Sequence, residues 1–155
     1  MIPGDARAAV YAGIAAGIAA GAVQMVLWSI FTDAMPAILY RDSRFAAAIV
    51  LGRGVLPPPA SFDVQIMLIA AVVHFALAIV YAWLLGCLIA DLRMPMSLLV
   101  GAAFGLCMYA LNMYGFTAVF PWFASSRDWI TAVTHLVFGV VLAAVYRIAA
   151  APAGR

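Results

Sequence analysis

The chain has 155 residues, 68% of them hydrophobic, and only 14 charged side chains, 8 arginines and 6 aspartates, with no lysine and no glutamate. A water-exposed surface carries roughly a quarter of its residues as charges, so 9% excludes an ordinary soluble domain and implies an exterior turned to lipid. The absence of lysine excludes Schiff-base chemistry on a side-chain amine and the lysine-dependent phosphate loop, and the scattered arginines behind the net charge of +2 form no nucleic-acid-binding stripe.

A helix needs about 20 apolar residues to cross a bilayer core, and four runs qualify. The predicted spans are 8–31, 64–90, 96–120 and 129–149, one transmembrane domain that leaves no room for a soluble catalytic unit. The first run follows Arg7 and contains Ala-x-Ala patterns, but it is longer than the 7 to 15 residues of a signal-peptide core and reads as an uncleaved helix. Between spans one and two, Arg41-Asp42-Ser43-Arg44, the apolar run Phe45 to Leu51 and Gly52-Arg53-Gly54 predict an interfacial or re-entrant helix flanked by arginines. Pro57-Pro58-Pro59 predicts a polyproline II approach to span two. The short link Asp91 to Pro95 makes spans two and three an antiparallel hairpin. Asp63 and Asp128 stand where carboxylates cap the helices that follow, and Trp122 and Trp129 fall at interfacial depth.

Spans one and three are glycine-stepped, with Gly13, Gly17 and Gly21 in one and Gly101 and Gly105 in the other, and spans two and four carry one histidine each, His74 and His135. This pattern predicts an all-α four-helix bundle built as a parallel two-plus-two hairpin repeat, its glycines forming smooth helix-packing faces. Arg7, Arg93, Arg147, Arg155 and the N-terminal amine against Arg41, Arg44, Arg53 and Arg127 favour cytoplasmic termini. Cys87 and Cys107 fall inside spans and act as small apolar residues.

Counting about 1.5 Å per residue places Gln24, His74, Asn112 and His135 roughly 9 to 15 Å below one membrane face, one strong hydrogen-bonding group from each span. Intramembrane polar groups are costly and point to function. Three readings are open. The four residues tie the bundle together as a non-catalytic accessory or structural protein. Alternatively, His74 and His135 are axial ligands of a haem b, with Ala70, Ala71, Ala78 and Gly139 leaving room for the ring and Arg41, Arg44, Arg53 or Arg127 meeting its propionates. In the third, the cluster handles protons, a quinone or a metal, with help from Tyr81, Tyr109 or Tyr114.

The stretches Ile49 to Pro59, Val73-His74-Phe75, Tyr114 to Phe123 and His135 to Gly139 resemble, with nearly the whole chain, a family of small four-helix inner-membrane proteins of proteobacteria. Some of its members carry the label sodium:proline symporter, but such symporters have ten or more spans and a midplane site at broken helices, which four spans do not reproduce. The resemblance implies a multi-pass inner-membrane protein of four helices and brings no activity or ligand residues to carry over; the bundle itself reads as an accessory component that associates with itself or with a larger membrane complex.

Overall fold

In a computed structural model that describes residues 5–150, the chain is helical throughout, without strands among those residues. Five α-helices follow one another: α1 (Ala6–Phe31), α2 (Ala37–Leu51), α3 (Val64–Ile89), α4 (Met94–Ala110) and α5 (Trp129–Ala149). Beyond Ala110 the path of α4 continues through a wider π-turn (Leu111–Gly115) and a 3₁₀ turn (Phe116–Ala118), and a second 3₁₀ stretch (Pro121–Ser126) leads to α5. Four helical segments, Ala6–Phe31, Val64–Ile89, Met94–Ala118 and Trp129–Ala149, are long and apolar enough to cross a membrane, within a few residues of the predicted spans.

Carboxylates start three of them. Asp5 accepts from the backbone N–H groups of Arg7 and Ala8, Asp63 from those of Gln65 and Ile66, and Asp128 from that of Thr131, satisfying donors that a first helical turn leaves without partners. At the other end of α3, the Arg147 guanidinium donates to the carbonyls of Ile89 and Ala90. Arg155 and the N-terminal amine, both used in the orientation reading, lie outside the described residues.

Helix α1 packs along both α3 and α5, and α5 also packs along α4, whereas the backbones of α3 and α4 stay apart and meet through side chains, Tyr81 against Phe104. The tight turn after α3 therefore joins two antiparallel helices that diverge, and the hairpin expected of spans two and three is connected but packed only through side chains such as Tyr81 and Phe104. Residues 5 and 146 meet through the Asp5 N–H and the Tyr146 hydroxyl (2.9 Å), which sets α1 antiparallel to α5. At this end the core is closed to solvent: Ala9, Ala12, Ala82, Leu85, Ile89, Leu142 and Ala143 are at most 1% exposed. The small alanines let the helices approach closely, as membrane bundles require in place of a hydrophobic driving force.

Two expectations about the first loop change. Helix α2 spans 15 residues rather than the short apolar run, so Arg41 and Arg44 lie within it instead of flanking it. Arg44 reaches across to the carbonyls of Val55 and Ser61, an arrangement that needs it on the helix. The three prolines make a bend and not an extended polyproline II segment.

Candidate functional site

Away from that end the helices part around a chamber of about 800 Å³. Its walls come from α1 (Gly17, Gly21, Gln24, Trp28), α3 (Ala70, His74, Phe75, Tyr81), α4 and its π-turn (Met108, Asn112, Met113) and α5 (Thr131, Thr134, His135, Phe138). Asp42 and Ala46 of α2 and Phe120, Phe123 and Ser126 of the last connection complete it. Because the α3 and α4 backbones stay apart, the chamber's gap lies between them, crossed at Tyr81 by its contacts with Phe104 and Asn112. It is narrowed where α2 meets the last connection: Trp122 Nε1 donates to the Phe45 carbonyl (3.1 Å), the Phe45 and Phe123 rings meet edge to face, and the Ser126 hydroxyl donates to Asp42 (3.5 Å).

All four residues singled out from the sequence, Gln24, His74, Asn112 and His135, border this one chamber. Two of them touch. Asn112 Nδ2 lies 3.3 Å from His135 Nε2, and the Tyr81 hydroxyl lies 3.1 Å from Asn112 Oδ1. His135 Nδ1 is 2.8 Å from the Thr131 carbonyl, an atom that only accepts, so Nδ1 carries the proton of the neutral ring and Nε2 accepts from Asn112. The tautomer thereby fixes the amide, whose oxygen faces Tyr81. The result is a relay with one direction: Tyr81 O–H to Asn112, Asn112 N–H to His135, His135 N–H to Thr131. His74 stands apart, with Nε2 3.3 Å from the Gly17 carbonyl and its ring edge-on to Phe75. Its neutral form therefore carries the proton on Nε2, the opposite tautomer to His135.

Asn112 owes its position to the π-turn, which widens the helix just where it begins at Leu111; such bulges recur at functional sites because they reset which side chains face inward. Arg127 holds that turn from outside. Its Nε donates to the Met113 carbonyl (2.6 Å), Nη2 donates to the Thr117 hydroxyl (2.8 Å), and the guanidinium lies over the Tyr114 ring. Tyr109, from the same helix, sets its ring against His135 and its hydroxyl on the Asp128 carbonyl.

The glycines divide. A Cβ on Gly13 would fall 2.7 Å from the Ile79 backbone and one on Gly17 3.0 Å from His74 Nε2, so α1 lies directly on α3 there. Gly101 and Gly105 abut the backbone of α5 at Gly139 and His135. Gly21 departs from the packing face expected for it, since nothing lies within 4 Å of its Cβ position and it opens onto the chamber. Gly139 departs as well: the space expected beside it for a flat ring is filled by the α4 backbone. Of the four arginines offered to propionates, three are committed to protein groups, Arg41 to Asp42 (2.7 Å), Arg44 to the loop carbonyls and Arg127 to the π-turn, while Arg53 is exposed. Among the described residues no group of three or more His, Cys, Asp or Glu side chains gathers as for a metal ion. Cys87 and Cys107 are exposed on the helix surfaces.

Sequence reasoning missed the alignment of Tyr81 with Asn112, the role of Thr131 and the clamp by Arg127. The Thr131 hydroxyl is buried without a hydrogen-bond partner among the described residues. Its spacing of four from His135 is the one signal that pointed to that contact, because a ring nitrogen on a helix reaches the carbonyl one turn back.

Burial pushes the Asp42 carboxyl above the ordinary carboxylate range, outweighing the opposing pull of Arg41 and the Ser126 hydroxyl. A folded state that holds this proton more tightly than the unfolded chain gains stability in acid and loses it as pH rises through the raised value. Asp42→Asn is therefore expected to raise the melting temperature in detergent by roughly 2 to 4 °C at pH 7 and to leave it unchanged near pH 4. A lower melting temperature at pH 7 would mean that the Arg41 pair outweighs the burial.

Comparison with known proteins returns no matching family model, no similar curated protein and no similar solved structure.

Proposed function

We propose that the chain is a non-catalytic accessory component of a bacterial inner membrane, a small polytopic protein whose chamber holds a lipid-soluble molecule drawn from the bilayer. The observation that carries this reading is the chamber itself, of a size that binds small ligands, mostly apolar and with a few convergent polar groups on its walls. Its place between two separated helices suits a ligand that arrives through lipid. The proteobacterial family that the sequence resembles, cytoplasmic termini and an α2 lying at the interface belong to the same proposal. So does the two-plus-two origin, supported by the recurrence in each half of a glycine-faced helix against a histidine-bearing one, Gly17 beside His74 and Gly105 beside His135. Association with itself or with a larger complex also belongs to it.

Gly21 offers the test, because a side chain placed there projects into open chamber. Gly21→Trp is expected to fold and to lose most of the lipid-soluble material that co-purifies with the wild type, measured by mass spectrometry of organic extracts. Equal content in the folded variant would remove the reading.

The runner-up, a haem b between His74 and His135, has in its favour that both rings border one chamber. It requires His74 Nε2 to leave the Gly17 carbonyl and change tautomer, and His135 Nε2 to leave Asn112. Protein expressed with ample haem is expected to have a featureless visible spectrum after reduction. A sharp reduced band that disappears in both His74→Ala and His135→Ala would replace the first reading with this one.

A further inference from the structure

We infer that the chamber's ligand is a quinone, a ring bearing carbonyl oxygens, which the Tyr81–Asn112–His135 relay recognises by reversing its direction as His135 takes up one proton. The inference rests on the chamber reading above and adds the ligand's chemical class and its coupling to pH.

The chamber excludes most headgroups. Its hydrogen-bonding wall is made of neutral groups, and the one carboxylate at its rim, Asp42, is already paired with Arg41, so nothing there is arranged to hold an ionic headgroup. The rest of the lining is rich in aromatic rings, Trp28, Phe75, Phe116, Phe120, Phe123 and Phe138, surfaces on which a flat ring packs well. About 800 Å³ accommodates a substituted ring and the first part of an apolar tail, and the gap between α3 and α4 leads the remainder into lipid.

The relay determines what Tyr81 can offer, beside the Gln24 amide and the Thr131 hydroxyl on the same wall. With His135 neutral, the Tyr81 proton is committed to Asn112 Oδ1, and the phenol presents only lone pairs to the chamber. A proton added to His135 Nε2 turns that nitrogen into a donor. Asn112 must then turn its amide over, its oxygen facing His135 and its NH₂ facing Tyr81, and Tyr81, now accepting from the amide, has its own O–H free to donate. The proton comes from solvent and ends on His135, and no bond in the ligand is made or broken. A quinone carbonyl, which only accepts, is met at Tyr81 only by the reversed relay. The corresponding quinol, whose hydroxyl donates as well as accepts, can donate to the Tyr81 lone pairs of the resting relay and needs no added proton. Linkage then requires that quinone binding take up about one proton and that quinol binding take up none.

Of the other titratable groups, His74 and Tyr81 from α3 and Asp42 from α2 border the chamber, Tyr109 from α4 sets its ring against His135, and Asp128 caps the first turn of α5. Arg127 nearby is turned to the π-turn, and α1 contributes only Gln24 among polar side chains. His74 and Asp42 are therefore the competing proton sites that the test must separate from His135.

The experiment is calorimetric titration of the purified protein in detergent with a decyl-substituted benzoquinone, its quinol and decylbenzene, from pH 5.5 to 8.5. Two buffers of different ionisation enthalpy count the protons. The quinone Kd is expected to weaken by up to tenfold per pH unit as pH rises, with close to one proton taken up, and quinol affinity to stay level or improve. His135→Gln should abolish the pH slope while still binding quinone. Tyr81→Phe should lose at least tenfold in quinone affinity at pH 6 and the slope with it. His74→Gln and Asp42→Asn should retain the slope. A slope that survives in His135→Gln, or quinone bound no better than decylbenzene, overturns the inference; if Gly21→Trp still abolishes lipid retention in that case, the chamber reading stands alone. Quinone bound equally by wild type and Gly21→Trp overturns both.

Discussion

Gly139→Leu is expected to prevent α4 and α5 from assembling, giving protein that aggregates or is degraded in place of a monodisperse species in detergent. The reason lies in contacts between backbones. A Cβ at residue 139 would lie 2.8 Å from the Gly105 amide nitrogen and 2.9 Å from its α-carbon, and closer still to the Gly101 carbonyl. Overpacking a core usually costs about 1 to 3 kcal/mol because side chains can shift rotamer, but here the obstacles are main-chain atoms of a helix fixed at both ends, so the loss should exceed that range. Even Gly139→Ala is expected to lower stability by about 2 kcal/mol or more. Gly21→Ala is the matched control: its Cβ meets nothing within 4 Å, and helix propensity favours alanine by about 0.5 to 1 kcal/mol. Thermal unfolding of the three variants in one detergent checks the ranking. Similar losses at 139 and 21 would show that α4 and α5 can move apart to admit a side chain.

These two glycines also mark how far the sequence could be read. Length and hydropathy placed four spans within a few residues of the helices, because a run of about 20 apolar residues has one stable solution in a bilayer. Counting along the helices brought Gln24, His74, Asn112 and His135 to one level, since depth depends only on the rise per residue. Rotation about each helix axis was not legible: α3 and α4 are apolar nearly all round, so no stripe distinguishes the face turned to lipid from the face turned to protein. Gly21 was therefore assigned to a packed face when it borders a void, and Gly139 to a void when it is packed. The π-turn escaped for a related reason. One widened turn changes which side chains point inward beyond Ala110, and no motif in Leu111 to Gly115 announces it.

That turn gives Arg127 its importance. Arg127→Ala is expected to cost about 1 to 2 kcal/mol, the lower part of what a charged hydrogen bond contributes because Arg127 is itself exposed, since the Met113 carbonyl then loses its charged partner beside a buried side chain. Arg127→Lys should restore only part of this. An ammonium can meet the carbonyl, but it cannot also reach the Thr117 hydroxyl and lie flat over Tyr114 as the planar guanidinium does. The damage should be local. Residues 94–105 are held by the glycine contacts with α5, whereas 111–126 depend on Arg127 and on the Trp122 bond to α2. Amide hydrogen exchange followed by mass spectrometry should therefore show peptides from 111–126 exchanging at least tenfold faster in Arg127→Ala, with 94–105 unchanged. The relay should suffer in step, since Asn112 is aimed at His135 by the turn that Arg127 clamps. Protection unchanged across 111–126 would mean that the π-turn holds its own shape and that Arg127 merely rests on it.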